Sequence, residues 1–247
     1  MNGSQADLDR RDRLCALIAR QPVVDHELTG TALGLQRLCG AAVRLLPASG
    51  AAVSLMADHG PSGIVASSDA VSAEIEELQF LLGEGPCWDA FEFLTPVLVA
   101  DMRRDGGERW PGYSTAAGER SVRAAFAFPL HVGTSRLGVL GIFRDRPGAL
   151  SARALAGAVT FGEIATTALL DGQATAHAGS AAAGVEDALQ PSFVVYQAQG
   201  MVMIQLSVPL IEAMSRLRAY AYTHDRSLGS VARDIVALTL ILEKDGT

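Results

Sequence analysis

Lysine is almost missing from this chain of 247 residues: Lys244 is the only one, and the other nineteen basic residues are Arg. With abundant Ala and Gly, that reads as coding bias rather than as selection for guanidinium chemistry. Cysteine is also scarce. Cys15, Cys39 and Cys87 lie far apart with no CxxC, which argues against a disulfide framework or a structural zinc site. His26, His59, His131, His177 and His224 share no ligand spacing and HExxH is absent, so no metal is expected. There is no GxSxG of a serine hydrolase, and neither GxGxxG nor GxxxxGK[ST] of a phosphate loop. No catalytic set emerges, and a non-enzymatic protein is expected. No run of about 18 uncharged apolar residues marks a membrane span. The polar start after Met1 does not read as a signal peptide. The expected location is the cytoplasm, with no membrane partner.

A basic tail is missing too. The net charge is -7; residues 1–175 carry 15 Arg against 20 acids, and residues 190–247 balance five basic residues with five acids. Nucleic-acid binding would therefore have to come from a local face. Apolar residues make up 49%, enough for a sizeable core and too many for global disorder.

Periodicity divides the chain. Residues 7–20 and 26–46 read as helices, stopped by Pro22 and by Pro47 with Gly50. Residues 51–57 alternate as a strand, with a turn at 59–63 and a hairpin partner at 64–67. Residues 70–82 return to helical period with Val71, Ile75, Leu78 and Leu82 on one side, closed by Gly83. A short buried strand is expected at 96–100, a helix at 112–120, a hairpin from 122–130 and 136–143, and a long helix at 151–170. This order predicts an α+β domain with an antiparallel sheet flanked by helices. Residues 172–189 read as an Ala/Gly-rich linker that also permits helix. Beyond them, 192–206, 209–223 and 228–242 predict a three-helix bundle, with Ser207–Val208–Pro209 as a break and Ser227 as an N-cap. The division is residues 1–24 (N-terminal helix), 25–171 (α+β domain), 172–189 (linker) and 190–243 (bundle).

LGEGPCWDA at 82–90 reads as a helix stop and a tight loop. No basic residue lies within ten positions of Cys87, whereas Glu84, Asp89 and Glu92 do, which disfavours an activated thiolate. Cys15 and Cys39 fall on apolar helix faces and are expected in the core. Asp101 and Trp110–Pro111 are placed to close a pocket over the sheet. In the bundle, Gln197, Gln199 and Gly200 precede a stretch in which Arg218, Tyr220 or Tyr222, and Arg226 interleave cation and ring. That combination suits stacking on unpaired bases and gripping phosphate.

Residues 193–236, with QAQGMVM, EAMSRLRAYA and LGSVARDIV in order, resemble the ANTAR domain, a three-helix RNA-binding module of transcription antiterminators. Residues 25–170, through LGEGPCWDAF, PVLVAD, the WPGY stretch, FPL and RLGVLGIF, resemble the sensory GAF domain of actinobacterial GAF–ANTAR regulators. The resemblance implies a homodimer that binds paired RNA hairpins in a leader transcript. RNA contacts are implied at Gln197, Gln199, Gly200, Arg218, Tyr220 and Arg226, with Gln199, Arg218, Tyr220 and Arg226 on one exposed face. It also implies a small-molecule ligand or a dimerisation role for the GAF domain. The cavity is expected between the sheet and segments 82–93 and 101–120, lined by Trp88, Trp110, Phe126 and Phe128. No NKxnFx3DE signature or chromophore-type Cys context is present, so ligand and cofactor stay unassigned. Pairing is expected through helices 7–20, 25–46 and 151–170. Compared with the family, Gln199 stands where a basic residue is frequent and Ser207 where Gly is frequent. The apolar ALTLIL at 237–242 suggests a helix buried in a dimer. Two other readings remain: a tail that contacts protein rather than RNA, and a GAF-type thiol enzyme acting on a small sulfoxide.

Overall fold

The computed structural model describes residues 2–23, 25, 27–56, 63–176 and 182–243. Helices α1 (Asn2–Ala19) and α2 (Gly30–Leu45) lead into strands β1 (Gly50–Leu55) and β2 (Gly63–Ser67). Helices α3 (Ala70–Leu82) and α4 (Pro86–Phe93) follow, then β3 (Val97–Val99), α5 (Met102–Asp105) and α6 (Pro111–Glu119). The hairpin β4 (Ala124–Val132) and β5 (Ser135–Arg144) leads into α7 (Ala152–Ala176). Then come α8 (Ala182–Leu206), α9 (Leu210–Thr223) and α10 (Leu228–Val236). The five strands form one antiparallel sheet in the order β2-β1-β5-β4-β3.

Strand alternation sorts the core into two layers. Val53, Phe126, Phe128, Leu140 and Ile142 pack beneath α1, α2 and α7, with Leu35, Leu38 and Phe161. Their neighbours Ala52, Ala125, Ala127, Val139 and Phe143 face α3 to α6, with Ile75, Cys87, Trp110 and Tyr113. The tail has a separate core of Ala198, Val202, Ala213, Leu217, Val231 and Ile235. Within α7, Ala152–Ala174 is long and apolar enough to cross a membrane. Here Ala158, Phe161, Ala165 and Leu169 of that stretch sit in the core.

The structure corrects several expectations. Residues 86–93 form α4 rather than a loop: Gly85 precedes the helix at φ 139°, Pro86 occupies its first turn, and the Cys87 amide is capped by Gln79 Oε1 at 2.8 Å. Val71 is 53% exposed. Cys15 is exposed, because only Ile18 of α1's second half is buried, whereas Cys39 lies in the core. Residues 172–176 and 182–189 are helical, the alternative that the Ala-rich stretch left open. Residues 177–181, the turn at 59–62, His26, His59 and His177 lie outside the described residues. Pro209 caps α9 rather than entering it. The last helix stops at Val236 instead of 242: Leu238 adopts φ 59°, and Leu242 folds back onto the bundle, its carbonyl accepting from Gln205 Nε2 at 2.8 Å.

Candidate functional site

The tail's candidate residues do not share one exposed face. Gln197 is exposed and Gly200 half-buried. Gln199 is buried, and its amide donates to Leu210 O at 2.7 Å, joining α8 to α9. That bond secures the bundle. Tyr220 stacks on His224, ring centroids 4.0 Å apart. Arg226 reaches across the start of α10 to Asp234 at 2.6 Å and to Ser230 at 2.7 Å.

Arg218 points elsewhere. It packs on Gly83 at the end of α3, with its guanidinium carbon 6.0 Å from the Trp88 ring centroid. Its Nε is buried and makes no hydrogen bond among the described residues. Burial lowers its pKa from the ordinary value.

The tail packs on the α+β domain. Helix α8 lies against α2 and β2, and α9 against α3. Glycines permit the close approach: a Cβ at Gly63 would collide with Ser192, and one at Gly184 with the Thr29 carbonyl. Two clefts open along this seam. One, of about 250 Å³, lies among β2, α3, α4 and the three tail helices and includes Trp88 and Arg218. The other, of about 640 Å³, includes Tyr222 and Arg226 of the tail and Glu74 and Arg120 of the α+β domain.

The four aromatic residues assigned to a ligand cavity are not brought together. Phe126 and Phe128 face α2 and α7, on the opposite side of the sheet from segments 82–93 and 101–120. An even number of positions separates them, so both go to that face while Ala125 and Ala127 take the other. Trp110 is 2% exposed and packed in the α3–α6 layer, with Arg109 over its ring at 4.4 Å. Trp88 donates from Nε1 to Gln79 O at 2.8 Å and lines the seam cleft. Asp101 caps α5 through the Arg103 amide.

A polar cluster under the sheet escaped sequence reasoning. Glu76 is 1% exposed. Its Oε1 accepts from Ser54 Oγ at 2.8 Å, and its Oε2 from Gln79 Nε2 at 2.8 Å and Cys87 Sγ at 3.4 Å. No cation compensates it there among the described residues, and burial raises its pKa to about 7 against the pull of those three donors. Burial, with Glu76 adjacent, also pushes the Cys87 thiol well up, the reverse of what a thiolate nucleophile needs. Burial raises Tyr113 in the same layer. The isolated motif EIEELQ gave no sign of this, because Glu at mid-helix normally reads as a solvated face.

Fold and seam define a two-module protein, an α+β domain against which a small helical bundle is docked. The GAF domain model matches residues 35–170, and the chain belongs to that family. The ANTAR domain model matches residues 183–236. GAF is a sensor domain and ANTAR an RNA-binding antitermination module. Among solved structures, the chain is similar to the GAF domain of an Acinetobacter phosphoenolpyruvate-protein phosphotransferase: 13% identity, 70% of this chain, 98% of that one, TM-score 0.51. The GAF domain of a Coxiella burnetii phosphoenolpyruvate-protein phosphotransferase gives 16% identity, 71% and 99% coverage, and TM-score 0.52. At these identities the likeness concerns the fold alone. Among curated proteins none matches.

Proposed function

We propose that this protein is a non-enzymatic, cytoplasmic transcription antitermination regulator of the GAF–ANTAR type. Its tail binds paired hairpins in leader RNA and so favours the antiterminator over the terminator structure. The observation that carries the reading is the docking of an ANTAR-matching bundle on a GAF sensor, with Arg218 turned into the seam. A change at the sensor surface then alters how much of α9 is free for RNA. The tail's charge balance fits recognition of looped-out bases by a few side chains rather than bulk attraction to duplex phosphates. Arg218 reaches RNA only when the tail leaves the sensor, whereas Gln197 is exposed in the docked state.

The protein works as a homodimer in this reading. Leu17, Leu45 and Val159 are exposed on α1, α2 and α7, and Leu14, Leu17, Leu45 and Phe161 line a cleft between these helices. Light scattering is expected to give twice the chain mass of 25.9 kDa; a monomer at all micromolar concentrations contradicts the dimer. Crosslinking in cells with sequencing of bound RNA tests the function. Leader segments with two adjacent hairpins ahead of a terminator are the expected product. Recovery of protein partners and no RNA above an uncrosslinked control would favour a protein-contacting tail.

A further inference from the structure

The smaller seam cleft has the chemistry of a ligand site. Its wall carries three rings: Phe80 and Trp88 of the sensor meet edge to face at 6.0 Å between centroids, and Tyr196 comes from α8. Trp88 is fixed by its bond to the Gln79 carbonyl, so this aromatic surface is preorganised. Among the described residues lining it, Arg218 is the one cation and Glu77 the one carboxylate. The two are not ion-paired. Arg218 makes no hydrogen bond among the described residues, and its buried Nε is left without an acceptor. Guanidinium groups in such partly dry settings normally meet a carboxylate or phosphate in fork geometry. The volume, about 250 Å³, falls below the ~300–1,000 Å³ of sites for drug-sized ligands, which limits the occupant to one or two rings.

We infer that this cavity binds a small aromatic carboxylate at the sensor–tail seam. Its ring lies among Phe80, Trp88 and Tyr196, its carboxylate takes the guanidinium donors of Arg218, and Glu77 accepts a hydrogen bond from a donor on the ligand. The site is formed by both modules, so its occupant stabilises the docked arrangement over the undocked one. That the ligand thereby opposes RNA binding rests on the function proposed above; the binding itself does not.

Ligand-observed saturation-transfer NMR on the full chain tests it without RNA. The probes are benzoate, phenylacetate and indole-3-acetate at millimolar concentration, each with its neutral amide. At least one acid is expected to bind saturably, with its amide weaker by about tenfold or more, the effect of losing a charge-assisted hydrogen-bond pair. Arg218→Met is expected to lose about tenfold or more as well. Gly229→Leu keeps the guanidinium but fills the cavity from α10, where a Cβ meets nothing within 4 Å; it too is expected to abolish binding. Circular dichroism and a melting curve show that each variant is folded. Equal binding of acid and amide, undiminished binding by either folded variant, or no binding by any of the three acids would overturn the inference.

Discussion

Replacing Glu76 with Gln removes the buried ionisation at the centre of the sensor. A carboxyl with an ordinary value of 4.5 is raised to about 7 by burial. The difference, at about 1.4 kcal/mol per unit, makes the charged form cost about 3 kcal/mol of folding stability. Between about pH 4.5 and about pH 7 the native state keeps a proton that the unfolded chain has lost, so this group makes stability fall as pH rises. Below that window the cost is absent; above it the cost is complete and constant. The amide introduced by E76Q can keep the local bonds: its oxygen accepts from Gln79 Nε2 and Cys87 Sγ, and its NH₂ donates to Ser54 Oγ. E76Q is therefore expected to be more stable than the parent by about 1–3 kcal/mol at about pH 8, with the gain vanishing towards about pH 5. Urea unfolding followed by the fluorescence of Trp88 and Trp110, both in the sensor, measures the difference across that range. A gain independent of pH, or a loss at every pH, would refute the assignment of a raised buried carboxyl.

Ser207 adopts φ 57° between α8 and α9, a conformation costing a non-glycine residue about 1–2 kcal/mol. Ser207→Gly is expected to stabilise the tail by up to about 1 kcal/mol, read as slower hydrogen exchange in α8 and α9; faster exchange would contradict it. Arg226→Ala is expected to destabilise the bundle by about 1 kcal/mol in the same assay, discounted for the partial exposure of the Asp234 pair; an unchanged bundle would make that pair inert. Native thiol titration with an aromatic disulfide is expected to modify Cys15 quickly and Cys39 and Cys87 slowly, following their exposure. Fast reaction at Cys87 would revive the thiol-enzyme reading.

The sheet and its order of helices were legible because alternation and helical period are local. What misled were features whose meaning depends on distant partners. Glu76 belongs to the core only because Ser54 of β1 and Gly141 of β5 come beneath it, and a Cβ at Gly141 would sit 3.2 Å from its carboxylate. Phe126 and Phe128 share a face by period two, but that period cannot say which face meets α3–α6, and both lie on the other one. Gly85–Pro86 carries a helix-start signal, but it follows so closely on Gly83, which ends α3 at φ 69°, that the stretch looks like one tight loop. The break at Ser207–Val208–Pro209 was legible from Pro209, but not the left-handed φ of 57° that Ser207 adopts there. Arg218 looked like part of an exposed face with Tyr220, although two positions on a helix turn side chains about 200° apart. Its contact with Gly83 and Trp88 needed the docked arrangement.

The most direct test of the account is a filter-binding titration of the full chain with a two-hairpin leader RNA, repeated at several salt concentrations. The account predicts saturable binding stronger than to a scrambled RNA of equal length. It also predicts a negative salt dependence whose slope flattens by about one unit in Arg218→Ala, as one phosphate contact is lost. Binding that does not distinguish the hairpin RNA from the scrambled one, or no binding at low salt, would contradict it.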